Sequence, residues 1–143
     1  MRLDPAEARR RFAASPVLRL ATADAHGRPH VVPCTFAVDA AGRIGIGIDT
    51  VKPKASVNLR RLRNITENPR VSLLVDHYSA DWAQLWWVRA DGVASIERSG
   101  AEHAEHWRLL RARYPQYEGA VLDGPVIVVA VESWTGWAAA NGS

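Results

Sequence analysis

The chain has 143 residues, 48% of them apolar and 23% charged, with a formal net charge of +3. That is enough chain for one domain with a proper core, taken as a single unit over residues 1–143, and too few consecutive apolar residues anywhere for a membrane-crossing helix, which needs about 20. The charged stretch 1–15 has no apolar centre of a signal peptide, and the lone cysteine, Cys34, has no internal disulfide partner, which fits a cytoplasmic protein.

Asp4-Pro5-Ala6-Glu7 offers an N-cap acid, a proline for the first helical position and a glutamate at N3, so a helix is expected to about Ser15, where Pro16 stops it. Residues 17–23 read as a strand, 24–28 as a turn and 30–38 as a second strand, in which Pro33 marks a bulge or an edge. After the turn at 39–42 comes a third strand, 44–49, with Ile44, Ile46 and Ile48 on one face and Gly45 and Gly47 on the other. Two glycines on one face imply close approach, either by a ligand or by a neighbouring strand or helix.

A helix over 53–65 is expected to bury Leu59, Leu62 and Ile65 and to turn Arg60, Arg61, Arg63 and Asn64 to solvent. Asn68-Pro69 ends it, and 70–75 is the fourth strand. A long strand over 84–97 carries a bulge or turn at Asp91-Gly92. Residues 102–113 form a third helix with Ala104, Trp107 and Leu110 or Arg111 inward, and 126–131 is the last strand. About six turn-linked strands and three helices predict a mainly β fold, an antiparallel barrel with appended helices.

Basic charge is concentrated in one segment. Of the Lys and Arg residues only Lys52 and Lys54 are lysines, and both sit just ahead of the second helix. Between Lys52 and Arg70 lie six basic residues against one acid, Glu67. Cations ahead of a helix N-terminus make an anion site, because the unpaired N–H groups and the helix dipole add to the formal charge. The expected ligand is a cofactor phosphate; the competing reading is a solvated basic loop.

The second candidate is Leu85-Trp86-Trp87-Val88-Arg89. Strand alternation puts Trp86 and Val88 on one face and Leu85, Trp87 and Arg89 on the other. A small barrel has one interior, so one tryptophan must meet a helix, a second subunit or a planar ligand. Cys34 reads as a small buried hydrophobe. His103 and His106 share a helical face but match no zinc motif and have no evident third ligand, so they read as surface helix and no metal site is expected. Arg60, Arg61, Arg63 and Arg70 have no aromatic platform interleaved, which argues against nucleic acid as a partner.

Arg19-Leu20-Ala21-Thr22, Gly27-Arg28-Pro29-His30, Ile48-Asp49-Thr50 with the two lysines, and Asn68-Pro69-Arg70-Val71-Ser72-Leu73 together resemble the split-barrel flavin and deazaflavin enzymes related to pyridoxamine 5′-phosphate oxidase. The lysine loop, residues 59–65 and residues 85–89 look most like an actinobacterial branch that depends on the deazaflavin coenzyme F420. The resemblance implies a six-stranded antiparallel split β-barrel, a homodimer and two cofactors at the subunit interface. It places the phosphate on Lys52, Lys54 and the helix start near Asn58, and the ring along backbone at Pro33, Cys34, Thr35, Ile48, Asp49 and Thr50. The partner subunit would supply Leu85, Trp86 and Trp87.

The FMN-using members have an Arg and a Lys on the second strand that touch the flavin; residues 30–36 here have neither, which leans toward F420. The implied activity is hydride transfer from the reduced deazaflavin to a small organic substrate, with water, Tyr78 or a histidine as proton source. The alternatives are an FMN-dependent oxidase of the pyridoxamine-phosphate type and a non-enzymatic carrier of deazaflavin or haem.

Overall fold

The computed structural model describes residues 1–48 and 57–139, with side chains from residue 60 onward in the helix that begins at Val57. In chain order the elements are β1 (Arg2–Leu3), α1 (Pro5–Ala14), β2 (Leu18–Ala23), β3 (Pro29–Cys34), β4 (Ala37–Val38), β5 (Ile44–Gly47), α2 (Val57–Glu67), β6 (Arg70–His77), β7 (Trp86–Glu97), α3 (Ala101–Arg113) and β8 (Val126–Ala138). Short 3₁₀ turns lie at Trp82–Gln84 and Pro115–Tyr117.

All strands pair antiparallel in the order β3-β2-β6-β7-β8-β5-β4, with β1 added to β8. The sheet curls into an open half-barrel. The described residues hold eight strands rather than about six, because the short pieces β1 and β4 pair as well.

Local chemistry explains most boundaries. Asp4 caps α1 by accepting the Glu7 N–H at 2.9 Å, and Pro5 occupies the first turn. Pro33 pairs with Arg19 on β3, an edge strand, where its missing N–H breaks no ladder. The β7–β8 register slips between Asp91 and Gly92, so the expected bulge is present. A Cβ at Gly92 would lie 2.3 Å from the Ala130 carbonyl oxygen, which explains the glycine.

β8 runs seven residues past its expected end at Val131. Trp134 packs inward against the main core, edge-on to Phe12 at 5.2 Å, while Trp137 faces out, so both tryptophans belong to the strand.

Two apolar layers result. Inside the curl, Leu18, Leu20, Leu73, Val75, Val88, Ile44 and Ile46 pack with Phe12 of α1 and Leu62 and Ile65 of α2. On the outer side, Trp107 and Leu110 of α3 pack with Ala37, Val126, Val128 and Tyr117. Ala104 is exposed; the inward stripe of α3 is His106, Trp107 and Leu110.

This packing answers the glycine question. A Cβ at Gly45 would lie 2.2 Å from His106 Nδ1, and one at Gly47 2.3 Å from Cη2 of Trp107. The glycine face exists to seat α3, not a ligand. His106 is accordingly core rather than surface, wholly buried 3.5 Å from Asp39 Oδ2, and burial pushes its pKa down against the opposing pull of Asp39 and Glu102. His103 Nε2 lies 2.8 Å from the Gly124 carbonyl oxygen, which also accepts from Trp107 Nε1 at 2.9 Å, so both imidazoles serve to dock the helix.

Candidate functional site

The site grows from the contact of α2 with β2 and β3. The stripe that α2 turns inward is wider than its leucines: Arg61 and Asn64 are 8% and 3% exposed, buried rather than solvated as expected. Asn64 Nδ2 donates to Thr22 Oγ1 at 3.1 Å, and an Arg61 guanidinium N–H donates to Cys34 Sγ at 3.2 Å. Helical periodicity contains the signal, since Arg61 and Asn64 flank Leu62 and Ile65 at i, i+1, i+3 and i+4; a reading that follows only apolar residues passes over them.

Arg61 is the anomaly of the fold. Its Nε is buried with no acceptor, and no ion pair among the described residues includes it. A buried, unmatched cation is costly unless something of opposite charge completes it. Nearby, on the inner side of β3, His30 Nδ1 is also buried without a partner. Burial and the charges of Arg60 and Arg61 push the His30 pKa below its usual value. Arg61 Nε and His30 Nδ1 are thus two buried polar atoms without a hydrogen-bond partner on this side of the sheet.

The expected site residues fall into three groups. Pro33 and Cys34 lie on β3 beside Arg61, with the Cys34 thiol buried. The Thr35 hydroxyl is 2.9 Å from the Tyr117 hydroxyl, and the Ile48 N–H donates to Pro125 O at 2.9 Å, so both are fixed from the α3 side. Asp49, Thr50, Lys52 and Lys54 lie outside the described residues, as does the side chain of Asn58.

Leu85, Trp86 and Trp87 stand apart from Cys34 within one chain. Leu85 closes the 3₁₀ turn ahead of β7 and accepts from the Ala139 N–H. From β3, where Cys34 sits, to β7 is three strand spacings, on the order of 14 Å.

The two tryptophans divide as alternation predicts. Trp86 packs against the main core, with the Arg11 guanidinium 5.5 Å above its ring and the His77 ring stacked at 6.3 Å, so the chain's own α1 and β6 cover it. Trp87 is on the opposite face, where Arg89 lies over its ring at 5.9 Å. There a groove of about 560 Å³ is lined by Trp87 and Arg89 with Val31, Leu74, Asp76 and Tyr78 among its walls. α3 covers the β5–β8 end of this outer face and leaves this end bare: Val31 is 64% exposed, Tyr78 73% and Leu74 39%.

Among the described residues no group of His, Cys, Asp and Glu is placed to hold a metal ion, and no helix is long and apolar enough to cross a membrane.

The model of the family described as pyridoxamine 5′-phosphate oxidase matches residues 5–138. A 5a,11a-dehydrotetracycline/5a,11a-dehydrooxytetracycline reductase from Streptomyces rimosus is 38% identical over 58 residues, 41% of this chain; the chain spans 38% of that relative's length. A FAD-binding protein from Mesorhizobium loti shares the fold at TM-score 0.72 with 23% identity, over 95% of each chain. The heme storage protein HutZ from Vibrio cholerae does so at TM-score 0.68 with 25% identity, over 96% of this chain and 95% of that one.

Proposed function

The chain belongs to the pyridoxamine 5′-phosphate oxidase family, and on that footing we propose that it is a flavin- or deazaflavin-dependent oxidoreductase, a reductase of small organic substrates that works as a homodimer. The observation that carries this is Arg61: a buried guanidinium with an orphaned Nε, set against Cys34 between α2 and β3. Flavins and deazaflavins carry both an anionic phosphate and a carbonyl-edged ring, so the donors present fit the group.

In this reading Lys52, Lys54 and the start of α2 near Asn58 hold the phosphate, by the anion logic of a helix N-terminus. Backbone at Pro33–Thr35 and Ile48–Thr50 lies along the ring, and Arg61 neutralises its electron-rich edge. When bound, such a cofactor supplies the hydride; the chain's residues bind, orient and exclude water. Within one chain Trp87 faces away from Cys34 across three strands, so the Leu85–Trp87 segment completes the site from a second copy, seated on the bare face around Val31 and Leu74. The Streptomyces reductase, similar over 58 residues, supports reduction as the reaction.

Relatives named for flavin and haem leave the choice of cofactor open; the preference for F420 over FMN rests on β3 and the residues after it, 30–36, which bring no arginine or lysine to the ring. A second reading, a non-enzymatic carrier of deazaflavin or haem, is favoured by the likeness to HutZ and by the exposed imidazole of His77 beside Trp86. Tight binding without hydride transfer to quinones or activated alkenes would select it.

Two variants probe the arrangement. Lys54→Ala is expected to weaken cofactor binding about tenfold, and Arg98→Ala to leave it unchanged; equal effects would reduce the lysine loop to a charged surface. Leu74→Lys, on the bare face, is expected to yield a folded monomer by light scattering, whereas an intact dimer would move the interface elsewhere.

A further inference from the structure

The seat of His106 under α3 is complete in shape and incomplete in polarity. The ring is wholly buried against Gly45, and neither Nδ1 nor Nε2 has a hydrogen-bond partner among the described residues. The carboxylate beside it belongs to Asp39, with Oδ2 3.5 Å from Nε2. That carboxylate is already engaged: Oδ1 accepts the Ala41 and Arg43 N–H groups at 2.9 Å, and Oδ2 accepts Arg43 Nε at 2.9 Å.

The other charged groups around the ring are engaged as well. Arg43, from the turn between β4 and β5, also pairs with Glu102 of α3 at 2.6 Å, and Glu105 of α3 pairs with Arg108 at 2.7 Å. Arg9 of α1 donates to the Ala40 carbonyl of the same turn at 3.1 Å, His103 sits on the Gly124 carbonyl, and β5 presents glycine. A proton on His106 therefore creates a buried cation whose adjoining carboxylate is committed to an arginine. Desolvation outweighs the pull of Asp39, Glu102 and Glu105, and the imidazole is neutral at pH 7.

What α3 fastens gives its seating a consequence. At its C-terminal end Arg113 Nη1 donates to Phe36 O at 2.8 Å, Tyr114 Oη accepts the Phe36 N–H at 3.1 Å, and just beyond it Tyr117 Oη lies 2.9 Å from Thr35 Oγ1. Through His103 and Trp107 the helix also holds Gly124, whose neighbour Pro125 accepts the Ile48 N–H at 2.9 Å. Thr35 and Ile48 thus depend on the same helix, and His106 sits under it.

We infer that His106, buried beside an arginine-committed Asp39, is an acid-operated latch: the neutral imidazole seats α3 on β5, and its protonation loosens α3 together with the segments at Thr35 and Ile48. Loosening weakens the binding of whatever lies along those segments; that this ligand is a flavin or deazaflavin ring rests on the function proposed above. Because the folded pKa of His106 lies below its unfolded value, the stability it contributes is present above the ordinary histidine range and is lost as pH falls through the folded pKa. Asp39 and Glu105, both depressed, make their own acid losses lower down, in the carboxylate range.

Hydrogen exchange in the full chain between pH 7.5 and 5 reads the latch, at the Trp107 indole N–H that bonds Gly124 and at the amides of Leu73 and Val88 in the main core. Corrected for intrinsic exchange, protection at Trp107 is expected to fall about tenfold by pH 5, and that at Leu73 and Val88 to change less. His106→Asn, which is polar, smaller and cannot titrate, is expected to hold Trp107 protection constant. Constant protection in the parent chain, or an equal fall in His106→Asn, overturns the inference. If His106→Asn folds poorly, the His106 ring-proton titration by NMR decides: it is expected to coincide with the loss of Trp107 protection, and a ring that titrates while protection persists overturns the latch.

Cofactor titrations at pH 7.5 and 5.5 separate the latch from the proposed function. An affinity for F420 or FMN that falls on the order of tenfold at pH 5.5, and does not in His106→Asn, supports both. An affinity indifferent to pH while Trp107 loosens overturns the link to the site. Should neither cofactor bind while Trp107 protection still falls, the proposed function falls and the latch stands.

Discussion

Gly45→Val is expected to lower the stability of the fold by about 3 kcal/mol, read as a shift in urea midpoint at constant slope. The space a side chain needs at residue 45 is filled by the His106 ring, whose Nδ1 would lie 2.2 Å and Cγ 2.7 Å from the new Cβ. His106 cannot swing away, because it is wholly buried and hemmed in by Asp39 at 3.5 Å. Nor can α3 retreat without losing the two bonds that Trp107 and His103 make to the Gly124 carbonyl, and the Trp107 ring sits in the same way over Gly47. A double variant, Gly45→Ala with His106→Ala, is expected to recover part of the loss, since it removes the colliding ring. A loss below about 1 kcal/mol for the single variant would mean that α3 rests loosely on β5 and that the glycines answer to something else.

Arg61→Met is expected to do the reverse: to leave stability unchanged or raise it, and to weaken cofactor binding about 100-fold. The substitution keeps much of the side chain's volume while removing a charge that no carboxylate of the described residues matches and a donor, Nε, that has no acceptor. A structural arginine would show the opposite pair of results, a lower urea midpoint with affinity intact. The contrast matters because the one hydrogen bond that Arg61 makes among the described residues, to Cys34 Sγ at 3.2 Å, is with a sulfur, a weak acceptor. Urea melts and fluorescence titrations on the same preparation separate the two cases.

How much of this was legible in the sequence follows from which signals are local. Caps and breakers are local: Asp4-Pro5 opens α1, Asn68-Pro69 separates α2 from β6, and Asp91-Gly92 marks the bulge, each by chemistry within a few residues. The sheet order is not local, but turn-linked strands and the family resemblance carried it as far as an antiparallel curled sheet. What the sequence leaves open or misplaces has one cause, tertiary contact between distant residues. Gly45 and Gly47 announce close approach without saying by what, and the answer, His106 and Trp107, is about sixty residues away.

Polar residues at inward helical positions were assigned to solvent by chemical type, although Arg61, Asn64 and His106 are all buried by tertiary contacts. The last strand is expected to end at Val131 because the glycine and alanines beyond it weaken the strand signal; pairing with β7 carries it on through Trp134 to Ala138. The split of the tryptophan pair between the two faces is readable from alternation, whereas Pro33–Thr35 enter the proposed site through the family resemblance alone. Arg61 and His30 are not readable, since only the packing of α2 against β3 turns an ordinary arginine and histidine into an unmatched pair of buried groups.

The most direct test of the central claim is a side-by-side titration of the purified chain with F420 and with FMN, followed by fluorescence and by light scattering for the state of association. The account predicts saturable binding of one cofactor per chain in a dimer, with F420 the tighter of the two. Tighter FMN binding would replace the deazaflavin while keeping the site, and a chain that binds neither would contradict the account at its root.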